Sequence, residues 1–137
     1  MDLTEAILRK LKSCPLLAKN GIKAVGFAGM DANKRSMSIL NTKGELITEQ
    51  HIDGGCEMQY PFVLLYRSLE TDTAGKLAAQ KLIDDVAEWL VSPENLPTIE
   101  GATVQEMNRA DTCTLVSEDE NGADYQGSFA LEYYKEG

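Results

Sequence analysis

The 137-residue chain is 43% hydrophobic and 26% charged, the proportions of an ordinary globular protein, which exclude a disordered segment. Its 22 acidic against 13 basic side chains leave a net charge of -9, a field that repels phosphate backbones and argues against specific nucleic-acid binding. The length suits one domain over 1–137; the first residues lack a basic, apolar leader and no run approaches the roughly 18 apolar residues of a spanning helix, so a cytoplasmic place, or one in a particle assembled there, is expected.

Residues 2–14 carry Leu3, Ala6, Ile7, Leu11 and Cys14 at helical spacing, with Arg9, Lys10 and Lys12 on the polar side. Asp2 and Glu5 have the spacing of a capping box, and Pro15 bars a regular continuation; Leu16 and Leu17 extend the apolar run by another turn before Asn20-Gly21. Short runs follow at 22–28, 36–41 and 45–51, then a long one at 56–68. Gly29-Met30-Asp31-Ala32-Asn33, Thr42-Lys43-Gly44 and Asp53-Gly54-Gly55 separate them with the residues that reversals require, which predicts antiparallel strands. Around 62–65 both faces of the long run are apolar, as in a central strand covered on both sides, and Pro61 calls for a bulge or an edge in its first half.

After Glu70 the period becomes helical, with Ala74, Leu77, Ala78, Leu82, Val86, Trp89 and Leu90 as the stripe expected to pack on the sheet. Thr71, Asp72 or Thr73 is placed to cap its start and Pro93 to close it. Residues 94–101 read as a loop, 102–107 and 112–117 as strands, and Asn121-Gly122 as a tight hairpin leading into a last strand at 125–134. Helix, strands, helix, strands contains no βαβ alternation. The fold class predicted is α+β: a mainly antiparallel sheet with two principal helices packed on one face.

The residues carry little chemistry. His51 and Cys56 flank one turn and are the one nucleophile–base arrangement available, though a lone His beside a turn is commonly solvent-exposed. Exposed charge accounts for Asp84-Asp85, Asp111 and Glu118-Asp119-Glu120 better than acid–base work does, since that requires a desolvated carboxyl. The stretch 118–124 lacks the EF-hand pattern, and no phosphate-binding glycine motif occurs. Cys14, Cys56 and Cys113 lie more than 40 residues apart, which argues against a zinc site or a disulfide framework and for reduced, partly buried thiols. No cofactor and no metal is expected. Phe62 and Phe129 read as core. Tyr60, Arg67, Tyr133 and Tyr134 are the candidate interface residues, and Tyr133 and Tyr134 alternate, so one must look outward.

Ser38-Ile39-Leu40, Ile52-Asp53-Gly54-Gly55, the segment from Tyr60-Pro61-Phe62 to Tyr66-Arg67, Ala87-Glu88-Trp89-Leu90, Asn95-Leu96-Pro97 and Tyr125-Gln126-Gly127-Ser128-Phe129, taken in this element order, carry a resemblance to the tail terminator, or minor capsid, proteins of long-tailed bacteriophages. It implies a virion protein assembled in the bacterial host, with no catalysis. Such a subunit forms a hexameric ring on the tail tube, ends tail growth and meets a head-completion or connector protein at the neck. Its partners would be itself, the tail-tube protein and that connector, with no membrane and with DNA only passing through. Glu118, Asp119, Glu120 and Asp124, or Glu49 in the segment 45–53, are then candidates to line the lumen. Other readings are a head–tail joining or tail-tube protein, a free-standing adaptor, or a small hydrolytic or ligand-binding domain using Cys56 and His51.

Overall fold

The computed structural model describes residues 3–27, 35–41 and 46–136. Two 13-residue strands, β4 (Cys56–Ser68) and β7 (Ala123–Lys135), form its spine. They pair antiparallel without interruption from Cys56 opposite Lys135 to Ser68 opposite Ala123. Alternation then fixes two faces. Met58, Tyr60, Phe62, Leu64 and Tyr66 share one with Tyr125, Phe129, Leu131 and Tyr133, and all nine are buried.

Each spine strand is flanked by a strand in two pieces. On the outer side of β4 lie β2 (Ser36–Asn41) and β3 (Leu46–Gln50), the first opposite 62–67 and the second opposite 56–59. Beyond β7 lie β5 (Ala102–Arg109) and β6 (Thr114–Glu118). A side chain completes the ladder at each gap. Asn41 Nδ2 donates to the Pro61 carbonyl at 2.9 Å, and the Ser128 amide donates to Asp111 Oδ1 at 2.7 Å. Pro61 is therefore neither at an edge nor in a bulge. It stands where β2 has ended and β3 has not begun, so its missing N–H costs no ladder bond; the register shift in this half falls in β3, between Ile47 and Glu49.

The sheet order is β1-β2-β4-β7-β5, and β1 (Ala24–Phe27) pairs with β2 in parallel. The sheet is thus mainly but not wholly antiparallel. The turns expected at 29–33 and 42–44, and the Asp2 half of the capping box, lie outside the described residues.

The helices α1 (Leu3–Lys12), α2 (Pro15–Lys19) and α3 (Thr73–Val91) bury their apolar sides in one cluster with the nine sheet residues. In α1 these are Leu3, Ile7 and Leu11. Asp72 caps α3 by accepting from the Gly75 amide at 2.7 Å. The buried stripe of α3 is Gly75, Ala79, Leu82, Ile83, Val86, Ala87 and Leu90; it keeps Leu82, Val86 and Leu90 of the predicted stripe, but Leu77 is 67% exposed, and Ala74 and Ala78 are exposed with it. Pro93–Asn95 forms one 3-10 turn after it.

Aromatic rings fill the centre. Phe62 and Phe129 stack at 5.3 Å across the spine, and Tyr66 and Tyr125 at 6.2 Å, each pair adding about 0.5–1.5 kcal/mol beyond area burial. Their hydroxyls are satisfied: Tyr125 donates to the Lys76 carbonyl at 3.3 Å, and Tyr66 accepts from Arg35 Nη2 at 3.2 Å. The opposite face carries none of the three helices and is open toward the end that holds Glu49 and Glu106. Val63 is buried there but outside the core cluster, Leu65 is half-buried and Leu40 is 38% exposed. The expectation that β4 is central holds, and so does burial on both faces at 62–64, where Val63 is buried together with Ser38 and Arg67 of the same face, although the buried sides of all three helices join the cluster on the other face.

Candidate functional site

Three of the four candidate interface residues, Tyr60, Arg67 and Tyr133, are buried. Tyr133 is fully buried, and Tyr60 is buried with its hydroxyl against Thr4 of α1. Even alternation puts both on the helix-covered face with Met58 and Phe62. Tyr134 is the outward member of its pair. It is half-buried on the open face, edge-on to His51 at 5.6 Å between centroids, with its hydroxyl where a side chain on Gly55 would be.

Arg67 is 3% exposed and committed within the chain. Its Nη2 lies 2.9 Å from Asp119 Oδ1 and its Nη1 3.2 Å from Asp124 Oδ1. Asp124 is its direct cross-strand neighbour, while Asp119 comes from the tip of the β6–β7 hairpin. Asp119 also accepts from the Asn121 and Gly122 amides at 2.8 and 3.0 Å. The Arg67 guanidinium, then these amides, hold the Asp119 carboxyl below its ordinary range, and Asp119 in turn raises the pKa of Arg67. The tip residues of the hairpin are Glu120 and Asn121, since Asp119 N donates to Gly122 O at 2.9 Å. Gly122 serves close approach instead of turn dihedrals: a side chain there would strike the Ser68 carbonyl and Arg67.

The predicted lumen carboxylates consequently fall into two groups. Glu118 pairs with Lys76 at 2.5 Å, and Asp119 and Asp124 are held by Arg67, leaving Glu120 as the free carboxylate of the hairpin. Glu49 belongs to a second set on the open face that sequence reasoning missed. It lies opposite Glu57; Glu132 lies opposite both Gln59 and Glu106. None of the ion pairs among the described residues involves Glu49, Glu57, Glu106 or Glu132. Glu106 and Glu132 hydrogen-bond to each other, which raises the Glu132 carboxyl and lowers that of Glu106, and Asn108 Nδ2 donates to Glu132 at 3.0 Å. The signal was Glu132 alternating in phase with Tyr134, but its neighbours depend on register.

The His51 imidazole turns to Tyr134 on the open face, whereas the Cys56 thiol contacts Met58 Sδ at 3.4 Å, so the two side chains serve different faces of the ribbon. Glu49, His51 and Glu57 bring their ligand atoms within 4.8 Å of one another, a donor set of the type that divalent transition metals accept. Both glutamates and the imidazole are at least partly solvated, however, the ordinary state of an acidic sheet face. Cys14 and Cys113 are buried, and burial pushes the Cys113 thiol up to about 11, leaving it a protonated packing group. Three surface hollows, at the start of α3, between α2 and β1, and between α1 and the loop at 96–98, contain neither His nor Cys in their linings. Among the described residues no helix is long and apolar enough to cross a membrane.

No protein-family model and no curated protein sequence matches the chain. Its fold is shared with a solved chain described as "Virion of native gene transfer agent (GTA) particle", with a TM-score of 0.67 and 17% identity over 96% of this chain and 94% of that one.

Proposed function

We propose that this chain is a structural protein of a phage-like virion, a subunit that caps the tail tube as a ring, ends tail growth and offers the neck surface for head–tail joining. The observation that carries the reading is the fold likeness, over nearly all of both chains, to a component of a gene transfer agent virion. The role is passive and non-enzymatic: assembly with copies of itself, with the tube and with a connector. The open acidic face supports it. Glu49, Glu57, Glu106 and Glu132, none of them in an ion pair among the described residues, would let DNA slide past without adhering. Of the two predicted lumen segments, the one containing Glu49 is therefore favoured over the Glu118–Asp124 hairpin, three of whose four carboxylates are tied to Lys76 and Arg67.

Mixing the protein with purified tail tubes tests the proposal by electron microscopy. Rings at one tube end, with further lengthening blocked, are the expected result. Polymerisation of the protein into tubes would make it a tube subunit, and absence from tube ends would overturn the terminator role.

A further inference from the structure

The two edges of the sheet are both unpaired among the described residues, and they are opposite in charge. At one edge, β1 pairs only with β2; residues 3–27, which build this side, carry five basic side chains against one acidic. At the other, β6 pairs only with β7; residues 102–122 carry five acidic against one basic, and although Glu118 and Asp119 are paired with Lys76 and Arg67, Glu120 at the hairpin tip is in none of the ion pairs among the described residues. Uncapped edges with exposed apolar side chains are unusual in proteins that stay single, because they template strand addition.

The apolar surface is complementary as well. A groove of about 310 Å³ between α2 and β1 is lined by Leu17, Ala18, Ile22 and Val25 and flanked by Lys12 and Lys23. Val25 lies beside Met37 and Phe27 beside Ile39, so both project to the helix side of the sheet, where Phe27 is 50% exposed. Every residue of β6 is exposed. Leu115 lies opposite Tyr125, which also puts it on the helix side, 42% exposed, next to Val116 at 54%. If the sheet continues from one molecule into the next, Leu115 arrives on the side where the groove opens, and Glu120 approaches the lysines.

We infer that the β6 edge of one copy adds to the β1 edge of a second copy of this chain, seating Leu115 against the α2–β1 groove with Glu120 near Lys12 and Lys23. The contact is head-to-tail, so each subunit keeps one edge free for the next, the geometry from which rings close. It rests on the ring reading and specifies its interface.

Cross-linking tests it in a Cys56→Ser background. Gly26→Cys on β1, where an added side chain meets nothing within 4 Å, is mixed with Val116→Cys and treated with a short bis-maleimide. Heterodimer yield well above that of Gly26→Cys with Leu77→Cys, whose residue 77 lies exposed on α3, is expected. Lys23→Glu should lower that yield about threefold or more, and Glu120→Lys in the partner should restore it. Yield no higher than the Leu77 control overturns the inference, as does a charge reversal without effect. Rings that still form on tube ends without this cross-link would overturn the edge contact alone, whereas absence of both would remove the ring reading too.

Discussion

Arg67 and Asp119 are 52 positions apart, yet the guanidinium Nη2 meets both carboxylate oxygens, at 2.9 and 3.1 Å. The contact ties the β6–β7 hairpin back onto β4. Because Arg67 is buried and Asp119 is not, the two ends of the bond differ in what their loss costs. Arg67→Ala removes a buried side chain and both of its ion pairs, and should cost about 2–4 kcal/mol in urea unfolding. Asp119→Ala leaves the guanidinium with Asp124 and should cost less. Equal effects of the two would contradict the arrangement.

The same pair sets an acid limb. The folded-state pKa of Asp119 is depressed, so its contribution to stability is present above the ordinary carboxylate range, about pH 4, and is lost as pH falls through the lower folded value. Glu132 has the opposite sign. Its folded pKa is raised by Glu106, so the pair favours folding below the ordinary range and opposes it once pH passes the raised value. Glu132→Gln should therefore raise Tm at pH 7, with the gain vanishing near about pH 4. A gain independent of pH would rule out the Glu106–Glu132 interaction as its source.

Glycine replacements should separate close approach from mere presence in a strand. Gly122→Ala drives a methyl into the Ser68 carbonyl, and Gly127→Ala drives one into Cys113 Sγ; each should cost about 1–3 kcal/mol. Gly26 has open space around its Cα, so Gly26→Ala should be neutral or slightly stabilising. Thermal melts of the three variants decide the point.

The rotation of α3 has an equally direct check. Ile83 is fully buried and Leu77 is 67% exposed. Ile83→Ala should cost about 2–5 kcal/mol, and Leu77→Lys should stay within about 0.5 kcal/mol of the parent. Reversal of that order would restore the stripe read from periodicity.

Charge on the open face bears on function. Glu49→Lys, Glu57→Lys and Glu132→Lys combined should give duplex DNA binding that weakens steeply with salt, where the parent shows little. Electrophoretic mobility at two ionic strengths measures it. Similar DNA affinity in parent and variant would remove the repulsive role assigned to these carboxylates.

Sequence periodicity located most of the elements because each depends on local spacing. Leu3, Ile7 and Leu11 mark a helix by themselves, and thirteen residues of β4 announce a strand whatever lies beside it. Alternation likewise required that Tyr133 and Tyr134 part company. Which of them turned inward could not be read locally, because burial depends on where the helices settle. In α3 Leu82, Val86 and Leu90 were legible, but Ala74, Leu77 and Ala78 were as plausible beside them as Gly75, Ala79 and Ile83, and only the docking of the helix decided between the two sides. The parallel pairing of β1 and the role of Pro61 belong to register between segments far apart in the chain.

Composition and spacing alone determined the α+β class, the strand and helix order and the net charge of -9. Tertiary structure alone decided how that charge is distributed: Asp119 and Asp124 paired with Arg67, Glu118 with Lys76, and Glu49, Glu57, Glu106 and Glu132 together on the sheet face that carries no helix. The reason is physical range. Helix and strand propensity act over a few residues, whereas an ion pair or a shared face needs groups brought together by pairing across the whole chain.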